Sequence, residues 1–179
     1  MGTYLVDLSE IMSEAGASLE IDDDVPLASL TVGDTVAMFE APPRLRVTIS
    51  NAGEGIILLG TVDVVATYDC SRCLEPFSRA ITGSIEGSVT SPERRDSVGE
   101  DEEWYPLGED RSLDLMPAVE AALAIEIPYA PLHDEECRGI CPTCGCDLNR
   151  DTCSCPEASG DPDHPFAALK DLIEPSEDR

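Results

Sequence analysis

The sequence predicts an α+β fold: an antiparallel β-meander covered on one face by a single helix, followed by a cysteine-rich segment. Three observations predict it. Residues 44–90 alternate apolar and polar side chains at the two-residue period of half-buried strands. Residues 115–126 carry an apolar stripe at helical spacing. Six of the eight cysteines gather after that helix, between positions 137 and 155.

The elements follow in order. Thr3–Leu8 and Ala17–Ile21 read as short extended segments and Leu30–Val32 as a third, with Asp22-Asp23-Asp24 and Pro26 as loop between them. Leu45, Val47 and Ile49 alternate with Arg44, Arg46, Thr48 and Ser50. The run Asn51–Gly55 supplies a turn into 56–69, where Val62, Val64, Ala66 and Tyr68 share a face. A third strand places Phe77, Ile81, Ile85 and Val89 on one face. Gly83 and Gly87 fall on that same face, which predicts a bulge or a close packing contact. Consecutive strands on short turns argue a meander with one covered side. The acidic stretch 91–112, centred on Glu100-Asp101-Glu102-Glu103, reads as a mobile loop, with Trp104 and Tyr105 anchoring its end. Asp114 caps a helix in which Pro117 is tolerated in the first turn. Its stripe, Leu115, Met116, Val119, Ala122 and Leu123, is the face to lay on the sheet. Pro128 and Pro131 stop it. A short last helix is expected over 165–172. The domain reading is therefore 1–132 for the α+β body, 133–156 for a cysteine-rich segment packed on it, and 157–179 for an acidic tail.

Charge narrows the function. Thirty-seven acidic residues face eleven basic ones, for a net charge of −26, and Lys170 is the only lysine. Phosphate backbones and anionic membranes repel such a chain, and basic partners attract it. The N-terminus lacks the basic and apolar regions of a signal peptide, and no stretch is apolar enough to span a bilayer, so a cytoplasmic protein is expected. Thiols in that compartment stay reduced, and paired cysteines there mean metal before disulfides.

The sharpest local signal is Cys141-Pro142-Thr143-Cys144-Gly145, a tight turn in which two thiolates grip one ion and Gly145 permits a positive φ. Cys153-Ser154-Cys155 puts two more sulfurs on one side of an extended chain. Together these four make a closed, structural zinc site, since a catalytic zinc keeps a position open for water. Cys70 and Cys73 sit at the tip between two strands and need two further ligands, for which His133 and Cys137 are the candidates. The expectation is two tetrahedral zinc ions, with Cys146 left free. The alternative is a single local site from His133, Cys137, Cys141 and Cys144, at i, i+4, i+8 and i+11. Pro142 and Gly139 argue against a helix there. A redox pair is disfavoured because Pro76 and an alternating strand follow Cys73. No phosphate loop, nucleophile elbow or His-Glu-x-x-His motif is present. Arg72, Arg79, Arg94, Arg95, Arg138 and Arg150 are the candidate phosphate contacts.

The run Tyr68-Asp69-Cys70-Ser71-Arg72-Cys73-Leu74-Glu75-Pro76-Phe77 resembles the signature of the bacterial YceD family, the large ribosomal RNA subunit accumulation proteins. Ile127-Pro128, Pro131-Leu132-His133, Cys137-Arg138-Gly139-Ile140-Cys141-Pro142-Thr143-Cys144-Gly145, Asp147-Leu148-Asn149, Cys153-Ser154-Cys155 and Pro165–Leu169 carry the rest of the resemblance. It implies a factor needed for normal levels of large-subunit ribosomal RNA, with no catalytic activity, whose genes often lie beside a ribosomal-protein gene. Members often carry cysteine where His133 stands, which favours that position as a ligand. Combined with the charge, the expectation is a non-enzymatic zinc protein of ribosome biogenesis that holds a basic ribosomal protein or a pre-ribosomal particle. The rival readings are a nucleic-acid-binding zinc ribbon, which the charge disfavours, and a thiol or zinc enzyme, which the closed ligand sets disfavour.

Overall fold

A computed structural model describes residues 2–93 and 103–155. In chain order its elements are β1 (Leu5–Asp7), α1 (Ser9–Met12), β2 (Ser18–Asp24), β3 (Ser29–Val32), β4 (Thr35–Phe39), β5 (Arg44–Asn51), β6 (Ile56–Asp69), β7 (Pro76–Thr90), β8 (Trp104–Pro106), β9 (Ser112–Asp114) and α2 (Met116–Glu126). Two units divide the chain, Met1–Cys137 and Arg138–Arg179, and all of these elements belong to the first. The helix expected at 165–172 lies outside the described residues.

The meander forms as the alternation predicts. β6 pairs antiparallel with β5 on one side, from Asn51↔Ile56 to Arg44↔Asp63, and with β7 on the other. The β6–β7 register runs unbroken from Ile56↔Val89 to Asp69↔Pro76, so neither glycine of β7 marks a bulge. β2 extends the sheet beyond β5, and the β3–β4 hairpin joins the same edge of β6 past the end of β5, at Met38↔Thr67 and Phe39↔Ala66. β8 adds a parallel pair to β7, completing a seven-stranded sheet. β1 and β9 form a separate two-stranded ribbon.

One face of the sheet is the core. Leu45, Val47 and Ile49 of β5, Leu58, Val62, Val64, Ala66 and Tyr68 of β6, and Ile81, Ile85 and Val89 of β7 are buried. α2 covers them with Met116, Val119, Ala122 and Leu123, the stripe read from sequence, together with Ala118. Leu115, not Asp114, is the N-cap residue and makes no side-chain cap; Asp114 just before it accepts from the Met116 N–H at 3.0 Å and from the Tyr4 N–H, which ties the start of β1 to the helix start. The two β7 glycines are notches. A Cβ at Gly83 would lie 2.7 Å from the Ala122 backbone, and one at Gly87 would lie 2.7 Å from the Tyr105 ring. The helix seats in the first notch and β8 in the second.

Three further sequence expectations need correction. Asp22–Asp24 is strand, not loop: β2 runs through Asp24 because Arg44 bridges both Asp22, at 2.7 Å, and Asp24, at 3.2 Å. Opposite charges across the pair make the acidic strand tolerable. β4 was not expected, yet Val32-Gly33-Asp34-Thr35 is a two-residue hairpin turn with Gly33 at φ 59°. In the acidic stretch read as a loop, Trp104–Pro106 and Ser112–Asp114 are strands, while residues 94–102 lie outside the described residues.

Candidate metal centres

Each candidate centre starts from a six-residue knuckle, and the two knuckles share one backbone design. In the first, between β6 and β7, the Cys70 N–H donates to the Glu75 carbonyl at 3.0 Å and the Leu74 N–H donates to the Cys70 carbonyl at 2.8 Å. In the second, the Cys141 N–H donates to the Cys146 carbonyl at 2.8 Å and the Gly145 N–H to the Cys141 carbonyl at 2.8 Å. The residue after the second cysteine turns left-handed in both, with Leu74 at φ 62° and Gly145 at φ 72°. Only glycine adopts that region without steric cost, so the first knuckle carries a leucine under strain.

The first knuckle collects its other donors from the segment after α2. The Ser71 N–H donates to the Pro131 carbonyl at 2.8 Å. The Arg72 guanidinium donates to the carbonyls of Glu135, at 3.0 Å, and Cys137, at 2.8 Å. An Asp134 turn, closed by the Cys137 N–H on the Asp134 carbonyl and the Glu136 N–H on the Asp134 carboxylate, presents Cys137. Cys70 Sγ then lies 3.8 Å from Cys137 Sγ, and Cys73 Sγ lies 3.4 Å from His133 Nδ1. Phe77 meets the His133 ring edge-on at 6.5 Å and backs the site. The structure thus brings Cys70, Cys73, His133 and Cys137 together, with their donor atoms all within 4.8 Å of one another.

The second centre lies within 138–155. The Arg138 N–H donates to Asn149 Oδ1 and the Leu148 N–H to the Gly139 carbonyl, closing a small hairpin around the bridge Ile140↔Asp147. Cys153 Sγ lies 3.4 Å from Cys141 Sγ and 3.6 Å from Cys144 Sγ. The fourth thiol within 4.8 Å of all the others is that of Cys146, the residue left free in the sequence reading. Cys155 stands beside the set, its N–H donating to Cys153 Sγ at 3.3 Å. Five thiols therefore crowd a space for four. The signal for Cys146 was available: it occupies the knuckle's closing position, where its carbonyl binds Cys141 back.

The thiols of each cluster are shifted against one another, Cys73 up to about 11 while Cys70 goes down. Burial pushes the Cys70 thiol up, but N–H groups of Cys73, His133 and Arg72 and the His133 side chain outweigh it, and the thiol is held down to about 5. Hydrogen bonding to Cys70 is the main cause that raises His133. N–H groups of Cys144 and Thr143 bring Cys141 down to about 6. Cys146 and Cys155 are both pushed up to about 12, the first mainly through its contact with Cys144 and the second mainly through Cys153. Thiolates in this proximity repel one another, and a bound cation relieves that repulsion.

The spacings also fit a metal. A tetrahedral ion with metal–sulfur bonds of about 2.3 Å sets sulfurs about 3.8 Å apart, and a sulfur and a ring nitrogen about 3.6 Å apart. The observed separations of 3.4–3.8 Å are of that size. Each cluster could hold a metal ion, and four protein donors would leave no position for water. Three of the arginines read as phosphate contacts have other partners. Arg72 clamps the Cys137 arm, Arg79 lies over the Phe77 ring and reaches the Leu132 carbonyl, and Arg150 pairs with Asp147.

Fold and clusters together define a small α+β protein with two cysteine-rich clusters, each of which could hold a metal ion. Residues 58–173 match the model of the family described as large ribosomal RNA subunit accumulation protein YceD, and the chain belongs to that family. The chain is 25% identical over 144 residues to an uncharacterized protein of Mycobacterium tuberculosis, covering 80% of this chain and 70% of the relative. It is 26% identical over 143 residues to an uncharacterized protein of Mycobacterium leprae, covering 79% and 66%. It is also 26% identical over 180 residues to the chloroplastic YCED homolog 1 of Zea mays, named for large ribosomal RNA subunit accumulation, covering 84% and 59%. No solved structure matches the chain. The family is named for the accumulation of an RNA and not for a reaction. Among the described residues no helix is long and apolar enough to cross a membrane.

Proposed function

We propose that this chain is a zinc-stabilised, non-enzymatic factor of ribosome biogenesis, which supports accumulation of large-subunit ribosomal RNA in the cytoplasm by holding a basic ribosomal protein. The observation that carries the reading is the closure of both donor sets. Four soft sulfur and nitrogen donors suit tetrahedral zinc, and a closed set stabilises the fold and leaves no metal-bound water for chemistry. One ion is assigned to Cys70, Cys73, His133 and Cys137. The second is assigned to Cys141, Cys144 and Cys153 with either Cys155 or Cys146 as the fourth ligand. The partner follows from charge. A chain of net charge −26 gains from a basic protein and loses from a phosphate backbone. Membership of the family supplies the ribosomal context.

The test has two arms. Depletion of the protein is expected to lower large-subunit ribosomal RNA relative to small-subunit RNA. Affinity-tagged protein from growing cells is expected to retain a basic ribosomal protein after nuclease treatment and to carry two zinc ions per chain. Loss of every partner on nuclease treatment makes RNA the client and overturns the protein-holding reading.

A further inference from the structure

We infer that the outward face of the sheet carries a docking groove for a basic, extended polypeptide segment, and that Glu40 is its recognition carboxylate. The inference rests on the basic-partner reading above and locates it on the molecule. Where β4 ends and β5 has not yet begun, Glu40-Ala41-Pro42 runs beside β6, the Glu40 N–H donating to the Val65 carbonyl at 3.2 Å. A groove of about 350 Å³ opens there, with Val65 and Ala80 among the residues lining it and Glu40 and Asp63 as its acidic residues. A second concavity of about 240 Å³ lies beside it, and Glu40 lines that one as well.

The two carboxylates differ. Asp63 is already committed, paired with Arg46 and accepting from the Thr82 hydroxyl at 2.6 Å. Glu40 forms no ion pair among the described residues. Its Oε1 is nonetheless held, accepting from the Ser78 hydroxyl at 2.5 Å, while the Thr67 hydroxyl, 3.2 Å from that oxygen and 3.0 Å from Ser78 Oγ, gives its one proton to either. An exposed glutamate normally samples many rotamers. This one is held against two hydroxyls with its charge uncompensated, beside an apolar surface on which Val65 is 42% exposed. A long basic side chain matches that arrangement, with its aliphatic stem on Val65 and Ala80 and its cationic head on Glu40. A phosphate matches it badly.

The probe is a labelled peptide of alternating arginine and alanine, titrated at physiological ionic strength so that distant charges are screened. Wild-type protein is expected to bind it. Glu40→Gln is expected to weaken binding about tenfold, the size of a lost charge-assisted hydrogen bond. Ala80→Phe, which fills the groove without changing charge, is expected to weaken it comparably. Glu86→Gln, which removes one carboxylate from β7 away from the groove, is expected to change it by less than about twofold. Thermal unfolding of each variant checks the fold, and Glu40→Gln decides alone if Ala80→Phe does not fold. Equal losses for Glu40→Gln and Glu86→Gln overturn the groove and leave the basic-partner reading standing. No binding by wild type overturns both. Displacement of the peptide by a single-stranded RNA oligonucleotide through Glu40 assigns the groove to RNA and overturns the inference.

Discussion

The two knuckles have the same backbone and opposite surroundings. Cys70–Glu75 sits at the tip of the longest hairpin, with Cys70 fully buried, and takes its remaining donors from 60 residues or more away: Cys73 meets His133 at a separation of 60 and Cys70 meets Cys137 at 67. Cys141–Cys146 takes its partner Cys153 from 12 residues beyond Cys141, and Cys144 is exposed. One set of hydrogen bonds thus serves two purposes. In the first knuckle a bound ion would cross-link the sheet to the segment that follows the covering helix, and so act on the fold of the whole first unit. In the second it would close a short local loop.

The largest effect that separates them is on stability. Cys70→Ser removes a donor from the long-range set and is expected to lower stability of the first unit by about 3 kcal/mol or more, since metal binding free energy is folding free energy, or about 10 °C in thermal midpoint. Cys144→Ser should release one ion while shifting that transition by less than about 3 °C, because the first unit keeps its cross-link. Metal content and melting curves of the two variants check this, and equal shifts would abolish the distinction.

A smaller effect falls on affinity. Arg72→Ala frees the Glu135 and Cys137 carbonyls and should weaken metal binding at the first site roughly 10- to 100-fold, as loss of a ligand's supporting partner does. The second site should keep its affinity. Competition with a chromophoric chelator resolves two classes of ion if this is right, and a parallel loss at both sites refutes it.

The left-handed residue allows a swap worth less again. Gly145→Leu places in the second knuckle the strain that Leu74 bears in the first and is expected to cost about 1 kcal/mol of local stability. Leu74→Gly should relieve the first knuckle by up to about 1 kcal/mol, reduced by the greater freedom of glycine in the unfolded chain. Hydrogen exchange of the Cys70 and Cys141 amides reports both changes, and identical behaviour of the two swaps would mean that Leu74 is compensated by packing.

The smallest expected effect concerns the surplus thiol of the second site. Cys146→Ser and Cys155→Ser should each keep two ions per chain, since either thiol can complete the set. The double variant should keep one ion. Loss of an ion in one single variant names that residue as the sole fourth ligand.

The same contrast explains what was legible in the sequence. Strands that bury one face announce themselves, because alternation is the cost of half-burial; β5, β6, β7 and the α2 stripe were read residue by residue from it. The end of β2 hid because its outward positions are Asp22 and Asp24, and their partner Arg44 lies 20 residues or more away, a pairing no local window sees. β4 hid behind a Gly33-Asp34 turn, although that turn has the form of a hairpin signal. The cysteine pairs were legible through their two-residue spacing. Leu74 was not, since a leucine gives no sign that its backbone is left-handed. Arg72 looked like a phosphate contact because its carbonyl partners, on Glu135 and Cys137, carry no sequence signature at all.

The notches in β7 carry a consequence for how this sequence can change over generations. Every single-base change of a glycine codon that alters the residue adds a side chain, and at Gly83 and Gly87 the first added carbon would meet the Ala122 backbone or the Tyr105 ring at 2.7 Å. One strand therefore holds two positions at which gradual substitution is closed, four residues apart. The outward residues Ser84 and Glu86 between them, free of such contacts, are where variation in a saturation library should survive. Inheritance of the seats of α2 and β8 thus depends on two absent methyl groups, and at Gly83 no change of an α2 side chain can make the room, because what that notch admits is largely backbone.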